Sequence, residues 1–362
     1  MNILIDIGHP AHVHKYLNLI IELDRKGSNI IVTTKNVNTI IVLLEKYNIE
    51  YINIGDKYDS LLGKCYKQII YAIKLLRIVK KHNITLLIGG ITCAHVSKLC
   101  NARSLIFDDD DDEVEPLFVK YAHPYCDTLL SPESLRNKRK KKDTIFYSGF
   151  HELAYLHPNR FKPEPAILDE VGLKPGELFF IMRYNVFKAH HDIGIRGLSL
   201  KQKQKLIKIL KSYGKIFITT EREIEPELKQ YQLKISPEKI HSLIYYATML
   251  IGDSQTMTSE AAVLGTPAIR MNSFVGRISY LEEEEHKYRL TYGFKPDQFD
   301  QMMLKIEELL EMPNLKQEWQ ERRKKMLSDK IDVTAFMVWF VESYPESVNI
   351  MKENPDYQLR FK

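Results

Sequence analysis

Three histidines fall within six residues near the start of the chain, in the run Asp6-Ile7-Gly8-His9-Pro10-Ala11-His12-Val13-His14. Imidazoles exchange protons near neutral pH, so this run holds candidate acids and bases. Gly8 permits a tight turn, and amides at the start of a following helix would attract phosphate or carboxylate. The run lacks G-x-G-x-x-G, which disfavours a nicotinamide or flavin site.

A second group lies in Gly252-Asp253-Ser254-Gln255-Thr256-Met257-Thr258-Ser259-Glu260, closed by Gly265-Thr266-Pro267. Hydroxyls and amides opening a helix suit a diphosphate, and a carboxylate farther along the same helix can accept both hydroxyls of a ribose. The alternative is plain N-capping by Ser254 and Thr256 with a solvated Glu260. Arg183 ends a strand-like run and is placed to neutralise a phosphate. His190, His191 and Asp192 follow it, but adjacent histidines lack the i, i+4 spacing of a helical zinc site, so no metal is expected there. Gly90 and the pair His151 and Glu152 close two further strand-like runs; together with Gly8 and His14 they are candidates to line a cleft.

Two charge runs carry the remaining chemistry. Asp108–Asp112 with Glu113 contains carboxylate pairs that suit a divalent cation, although mutual repulsion favours a solvated loop. The basic stretch Arg136–Lys142 has the charge to touch anionic lipid or nucleic acid. It lacks interleaved aromatics, so it too reads as a solvated loop and nucleic acid is not expected, while an anionic membrane surface remains open to it. The stretch Leu61–Lys81 mixes apolar residues with Lys64, Lys67, Lys74, Arg77, Lys80 and Lys81, giving a helix with a core face and a basic face suited to an anionic membrane surface.

The elements that must position these groups alternate in type. Strands are expected at 2–7, 29–34, 50–54, 85–89, 104–108, 128–130 and 144–148, with helices over 12–26, 37–46, 61–81 and 94–100. The alternation restarts with strands at 178–184, 215–219, 249–252 and 267–271 and helices at 201–212, 237–247 and 256–264. This is the pattern of parallel βαβ units. Three prolines between Tyr155 and Pro165 mark a linker. The expected organisation is therefore α/β: two doubly wound Rossmann-like domains, 1–155 and 166–331, joined by a linker at 156–165 and facing a central cleft. A C-terminal helix and tail, 332–362, would be capped by Asp332 or Thr334 and pack back on the first domain.

Length and composition agree. At 362 residues the chain suits two domains at roughly 150 residues each, and its 44% hydrophobic and 27% charged content is that of a globular protein. The net charge of +5 favours anionic partners. No apolar run reaches the roughly 20 residues of a membrane span, the N-terminal run lacks the features of a signal peptide, and the 4 cysteines form no C-x-x-C pair. A reducing, cytoplasmic setting is expected, without disulfides.

The spacing Ser254-x5-Glu260-x4-Gly265-x-Pro267 resembles the donor-binding signature of GT-B glycosyltransferases, and equally that of the UDP-N-acetylglucosamine 2-epimerase family, which shares the fold. Gly8-His9-Pro10-Ala11-His12-Val13 is similar to the first loop of the N-acetylglucosaminyltransferase that forms lipid II, with Pro10 and Ala11 replacing glycines. The epimerases' first-loop arginine is absent. Residues 5–14, 149–158 and 260–267 together resemble an uncharacterised archaeal and bacterial family of about this length, grouped with the GT-B superfamily.

The resemblance implies a metal-independent glycosyltransferase with no cofactor, working in cell-surface polysaccharide or glycan synthesis. It takes a nucleoside-diphosphate sugar onto Arg183, Ser254, Thr256 and Glu260, and uses His12 as the base that deprotonates a hydroxyl of a glycan or lipid-linked acceptor. Such an enzyme would be cytoplasmic or peripheral at the inner face of the membrane. A sugar-nucleotide epimerase using Asp108 or Glu152 is the alternative, followed by a non-catalytic nucleotide- or nucleic-acid-binding protein.

Overall fold

The structure, a computed structural model, describes residues 1–56, 61–174, 176–184, 197–220 and 223–362, with the backbone alone for 61–65. The chain divides into two compact units: Met1–Arg160 with Lys330–Lys362, and Phe161–Asp329.

The first unit is built on β1 (Asn2–Ile7), β2 (Asn29–Asn36), β3 (Ile52–Asp56), β4 (Leu86–Ile88), β5 (Arg103–Phe107), β6 (Thr128–Pro132) and β7 (Ile145–Tyr147). They form one sheet in the order β3-β2-β1-β4-β5-β6-β7, and every pairing is parallel. β1 is central, and Ile3, Leu4, Ile5 and Ile7 are fully buried. Continuous apolar runs of this kind mark strands covered on both faces. The helix Pro10–Arg25 buries Val13, Tyr16, Leu19 and Leu23, and each such side chain contributes roughly 1.5–3 kcal/mol on leaving water.

The returning C-terminal segment belongs to this unit. Helix Val333–Glu342 packs against helix Pro10–Arg25, and Thr334 Oγ1 donates to the Ala154 carbonyl at 2.6 Å. Asp332 is its N-cap, accepting from the Ala335 amide at 3.0 Å and from Arg160 Nε at 2.8 Å.

The second unit contains β8 (Phe179–Tyr184), β9 (Lys215–Thr220), β10 (Met249–Gly252), β11 (Ala268–Met271) and β12 (Thr291–Phe294), in the order β12-β11-β10-β8-β9, again all parallel. Both units are thus α/β with parallel sheets and flanking helices, and the C-terminus is helical, as expected. β12 was not expected: its four residues Thr-Tyr-Gly-Phe are short and interrupted by glycine, which weakens a strand signal.

The first helix begins two residues earlier than expected, at Pro10, because His9 serves as its cap, and the helix expected over 94–100 runs over Ile91–Ser97. Among the described residues, no helix is long and apolar enough to cross a membrane.

Candidate functional site

In each sheet the strand order reverses at one point, and open α/β sheets bind ligands outside the carboxyl ends of the strands there. In the first unit the reversal lies between β1 and β4, so the loops Gly8–His9 and Gly89–Gly90 leave the sheet at that point. In the second it lies between β8 and β10, where Arg183 and Gly252 are register partners.

In the first unit, His9 caps the opening helix: its Nδ1 accepts from the Ala11 amide at 3.2 Å and its carbonyl accepts from the His12 amide at 3.0 Å. Pro10 has no amide hydrogen. The helix start is therefore not the phosphate cradle expected, since the early donors are absent or spent. Gly8 also departs from expectation. It does not take a left-handed φ, and a Cβ there would meet open space, so the turn does not depend on glycine.

What the loop does position is His12. Burial, with the Lys15 ammonium beside it, pushes the His12 imidazole well below its ordinary value, so it is neutral at pH 7. Its buried Nδ1 has no hydrogen-bond partner among the described residues. One turn on, buried Lys15 donates to the Phe107 carbonyl at 3.1 Å and lies 3.4 Å from His151 Nδ1. The same His151 nitrogen donates to Asp109 Oδ1 at 2.8 Å. Burial opposes the Asp109 carboxylate, but the bonded His151 ring and the Lys15 ammonium outweigh it and hold Asp109 below the ordinary range.

Next to it, burial and the Asp109, Glu115 and Asp108 charges push Asp110 well above that range. The two neighbouring carboxyl groups are thus displaced in opposite directions, Asp109 toward the charged form and Asp110 toward the protonated one. His151 Nε2 and the Tyr147 hydroxyl, both buried, also lack partners among the described residues.

The acidic run is not the solvated loop expected, and neither is the centre of the basic stretch. Arg139, with a fully buried side chain, spans Asp108 Oδ2 at 3.0 Å and Asp112 Oδ1 at 2.5 Å, while Lys138 pairs with Asp111 at 3.2 Å. His123 Nε2 donates to Asp108 at 2.8 Å. The two runs neutralise one another. The Asp108, Asp109 and Asp110 carboxylates lie within 4.8 Å of each other, but Arg139, His123, His151 and Lys15 already compensate two of the three, which is a poor donor set for a divalent cation.

His14 does not join this group. It faces away from His12, bonding the Tyr47 hydroxyl at 3.2 Å and packing on Tyr155. Glu152 is buried where it can act electrostatically on Lys15 and Tyr147, and Gly90 opens the helix Ile91–Ser97 beside Phe118.

In the second unit, β10 can approach Arg183 only because residue 252 is glycine: a Cβ would stand 2.0 Å from the Arg183 carbonyl oxygen. Arg183 Nη1 donates to Thr219 Oγ1 at 3.2 Å. Ser254 caps the helix Gln255–Leu264, accepting from the Met257 amide at 3.4 Å, and Thr256 lies half-buried in its first turn. First-turn amides of such a helix lack intrahelical partners and face outward. Gly265 ends the helix in the left-handed conformation, φ 71°. Glu260 is not solvated: it is 5% exposed, and His241 Nε2 donates to its Oε1 at 3.0 Å. His190, His191 and Asp192 lie outside the described residues.

Sequence reasoning missed Lys15, Tyr147 and His241, and weighed Asp109 only as a metal ligand. Lys15 carries a signal in its i, i+3 spacing from His12, which places both on one helix face. His241 and Tyr147 sit on other elements and carry none.

The family described as "Protein of unknown function (DUF354)" matches residues 1–292. An uncharacterized protein of Methanocaldococcus jannaschii is 24% identical over 306 residues, covering 79% of this chain and 86% of that protein. Among solved structures, UDP-GlcNAc 2-epimerase from Neisseria meningitidis bound to UDP-GlcNAc superposes with a TM-score of 0.66 at 11% identity, covering 95% of this chain and 100% of the other. MnaA of S. aureus with UDP gives 0.67 at 12% identity (96% and 97% covered), and the glycosyltransferase VinC in complex with dTDP gives 0.61 at 10% (96% and 100%). The resemblance to GT-B glycosyltransferases and 2-epimerases read from the sequence holds at the level of the fold.

Proposed function

The chain belongs to the DUF354 family of proteins of unknown function, and we propose that it is a nucleotide-sugar-using enzyme that transfers the sugar to a hydroxyl acceptor. The observation that carries this reading is Glu260, a buried carboxylate held by His241 on the helix that opens at the strand-order reversal of the second unit. A ribose diol would bond Glu260, and the diphosphate would meet the first-turn amides, Ser254, Thr256 and Arg183. The solved structures of this fold with UDP, UDP-GlcNAc and dTDP support the ligand class.

In the first unit His12 receives the acceptor's proton as the acceptor oxygen bonds the anomeric carbon. The bond from that carbon to the diphosphate breaks, and the nucleoside diphosphate departs with its electron pair. The helix N-terminus and Arg183 stabilise the departing charge. A histidine neutral at pH 7 is in the form this step requires, and general base catalysis contributes about 10²–10⁴-fold.

A second reading, sugar-nucleotide epimerisation, is favoured by one observation: the Asp108, Asp109 and Asp110 carboxyls lie within 4.8 Å of one another, and Asp110, raised well above the ordinary range, can hold and return a proton. Incubation with a panel of UDP- and dTDP-sugars separates the two. Slow release of nucleoside diphosphate supports transfer, interconversion of sugar nucleotides supports epimerisation, and no nucleotide binding by calorimetry overturns both.

A further inference from the structure

The helix Leu61–Lys81 buries one side and leaves another bare. Leu75 and Val79 enter a core cluster with Leu4, Leu87 and Val96, and Tyr71 is 4% exposed. Yet Tyr66 is 66% exposed, Ile69 62% and Ile73 48%. These three are spaced i, i+3, i+7 and form one ridge. The ridge continues at the same spacing into Arg77 and Lys80, both exposed, with exposed Lys81 beside them. From Leu61 to Lys81 there is no aspartate or glutamate.

We propose that this ridge is a docking surface for an anionic lipid bilayer, with Tyr66, Ile69 and Ile73 entering the headgroup boundary and Arg77 and Lys80 contacting lipid phosphates. An aromatic ring carrying a polar tip, two isoleucines and an acid-free cationic end form the residue set of a helix lying in a membrane interface. Charge selects this occupant. A second copy in a symmetric contact would set the ridge against itself, and the helix offers no acid to pair Arg77 or Lys80 in either direction of packing.

The stretch Arg136–Lys142 contributes little to such a surface. Arg139 is buried between Asp108 and Asp112, Lys138 pairs with Asp111, Lys141 with Asp143 and Arg136 with Glu133. Among the cations of this stretch only Lys140 and Lys142 are exposed outside those pairs, so adhesion is assigned chiefly to the helix. The proposal stands independently of the nucleotide site.

The test is co-sedimentation of the full chain with vesicles of equal parts phosphatidylglycerol and phosphatidylcholine, against vesicles of phosphatidylcholine alone. The wild type is expected to pellet with the anionic vesicles, less so as salt is raised, and to stay in solution with the neutral ones. Each cation near an anionic surface is worth roughly fivefold in partitioning, so Arg77→Gln with Lys80→Gln should lower it about 30-fold at low salt. Ile69→Ser with Ile73→Ser should lower it as well. All four side chains are exposed, so melting temperatures should not change. A wild type that stays in the supernatant with anionic vesicles overturns the proposal, as does pelleting unaffected by either pair. Self-association in solution that the Ile69→Ser, Ile73→Ser variant abolishes also overturns it, since a second copy would then cover the ridge.

Discussion

His241 and Glu260 face each other across 3.0 Å, on different helices of the second unit, each at most 5% exposed. The pairing ties Glu260 to the fold, and the proposed function gives it a second role toward a nucleotide.

Glu260→Ala should therefore show two separable losses. Nucleotide affinity, read by calorimetry with UDP or dTDP, should fall by about 1.5–3 kcal/mol, the range for hydrogen bonds to a charged group. Stability should fall by about 1–3 kcal/mol, because the His241 ring is left buried without its acceptor. A variant with unchanged nucleotide affinity would remove Glu260 from the proposed site.

His12→Ala should spare nucleotide binding and lower turnover about 10²–10⁴-fold. Because the folded pKa of His12 is depressed, the wild-type rate should persist as pH falls through the ordinary histidine value of 6.5, rather than halving there. A kcat/KM profile breaking near 6.5 would assign the proton transfer to another group.

Acid stability follows from the same burial. His12 and His151 both have folded pKa values below 6.5, mainly through desolvation. Between that ordinary value and the lower folded values, the unfolded chain binds more protons than the folded one, so stability declines as pH falls below about 6.5. Melting temperatures from pH 7.5 downward should show the decline, and His12→Ala should flatten part of it.

Arg139→Met should destabilise the first unit by about 3–5 kcal/mol, the cost of leaving buried partners uncompensated. Its guanidinium holds both Asp108 and Asp112. Chemical denaturation would read the loss directly. A change under 1 kcal/mol would mean that the acids protonate or reach water without it.

Gly252→Ala should couple two defects. Backbone obstructs the new methyl, so β10 must shift away from the Arg183 carbonyl. Overpacking costs roughly 1–3 kcal/mol, and the displaced Arg183 should also weaken nucleotide binding. Denaturation and calorimetry on the same preparation would show both.

The alternation of apolar runs with helical periods made the parallel sheets legible, because strands buried on both faces declare themselves locally. The placement of Arg183 and Glu260 was legible for the same reason: each sits at a fixed offset from a strand end. The partners of those side chains were not. Arg139 lies 27 residues from Asp112 in sequence, so two runs of opposite charge, each apparently solvated when read alone, complete one buried network. Likewise the three histidines at 9, 12 and 14 look like one group, yet one caps a helix, one is half-buried with its pKa lowered and one packs on tyrosines. Helix geometry separates them, since residues two apart face different directions.

The second unit is inserted within the sequence of the first, whose C-terminal segment, opening with helix Val333–Glu342, arrives only after Asp329. During synthesis domains generally fold in the order in which they emerge. Here the order is reversed: Phe161–Asp329 can complete its own sheet while the first unit still lacks the helix that covers Pro10–Arg25. Until the ribosome has delivered that segment, the face of Pro10–Arg25 that Val333–Glu342 covers stays bare on the nascent first unit.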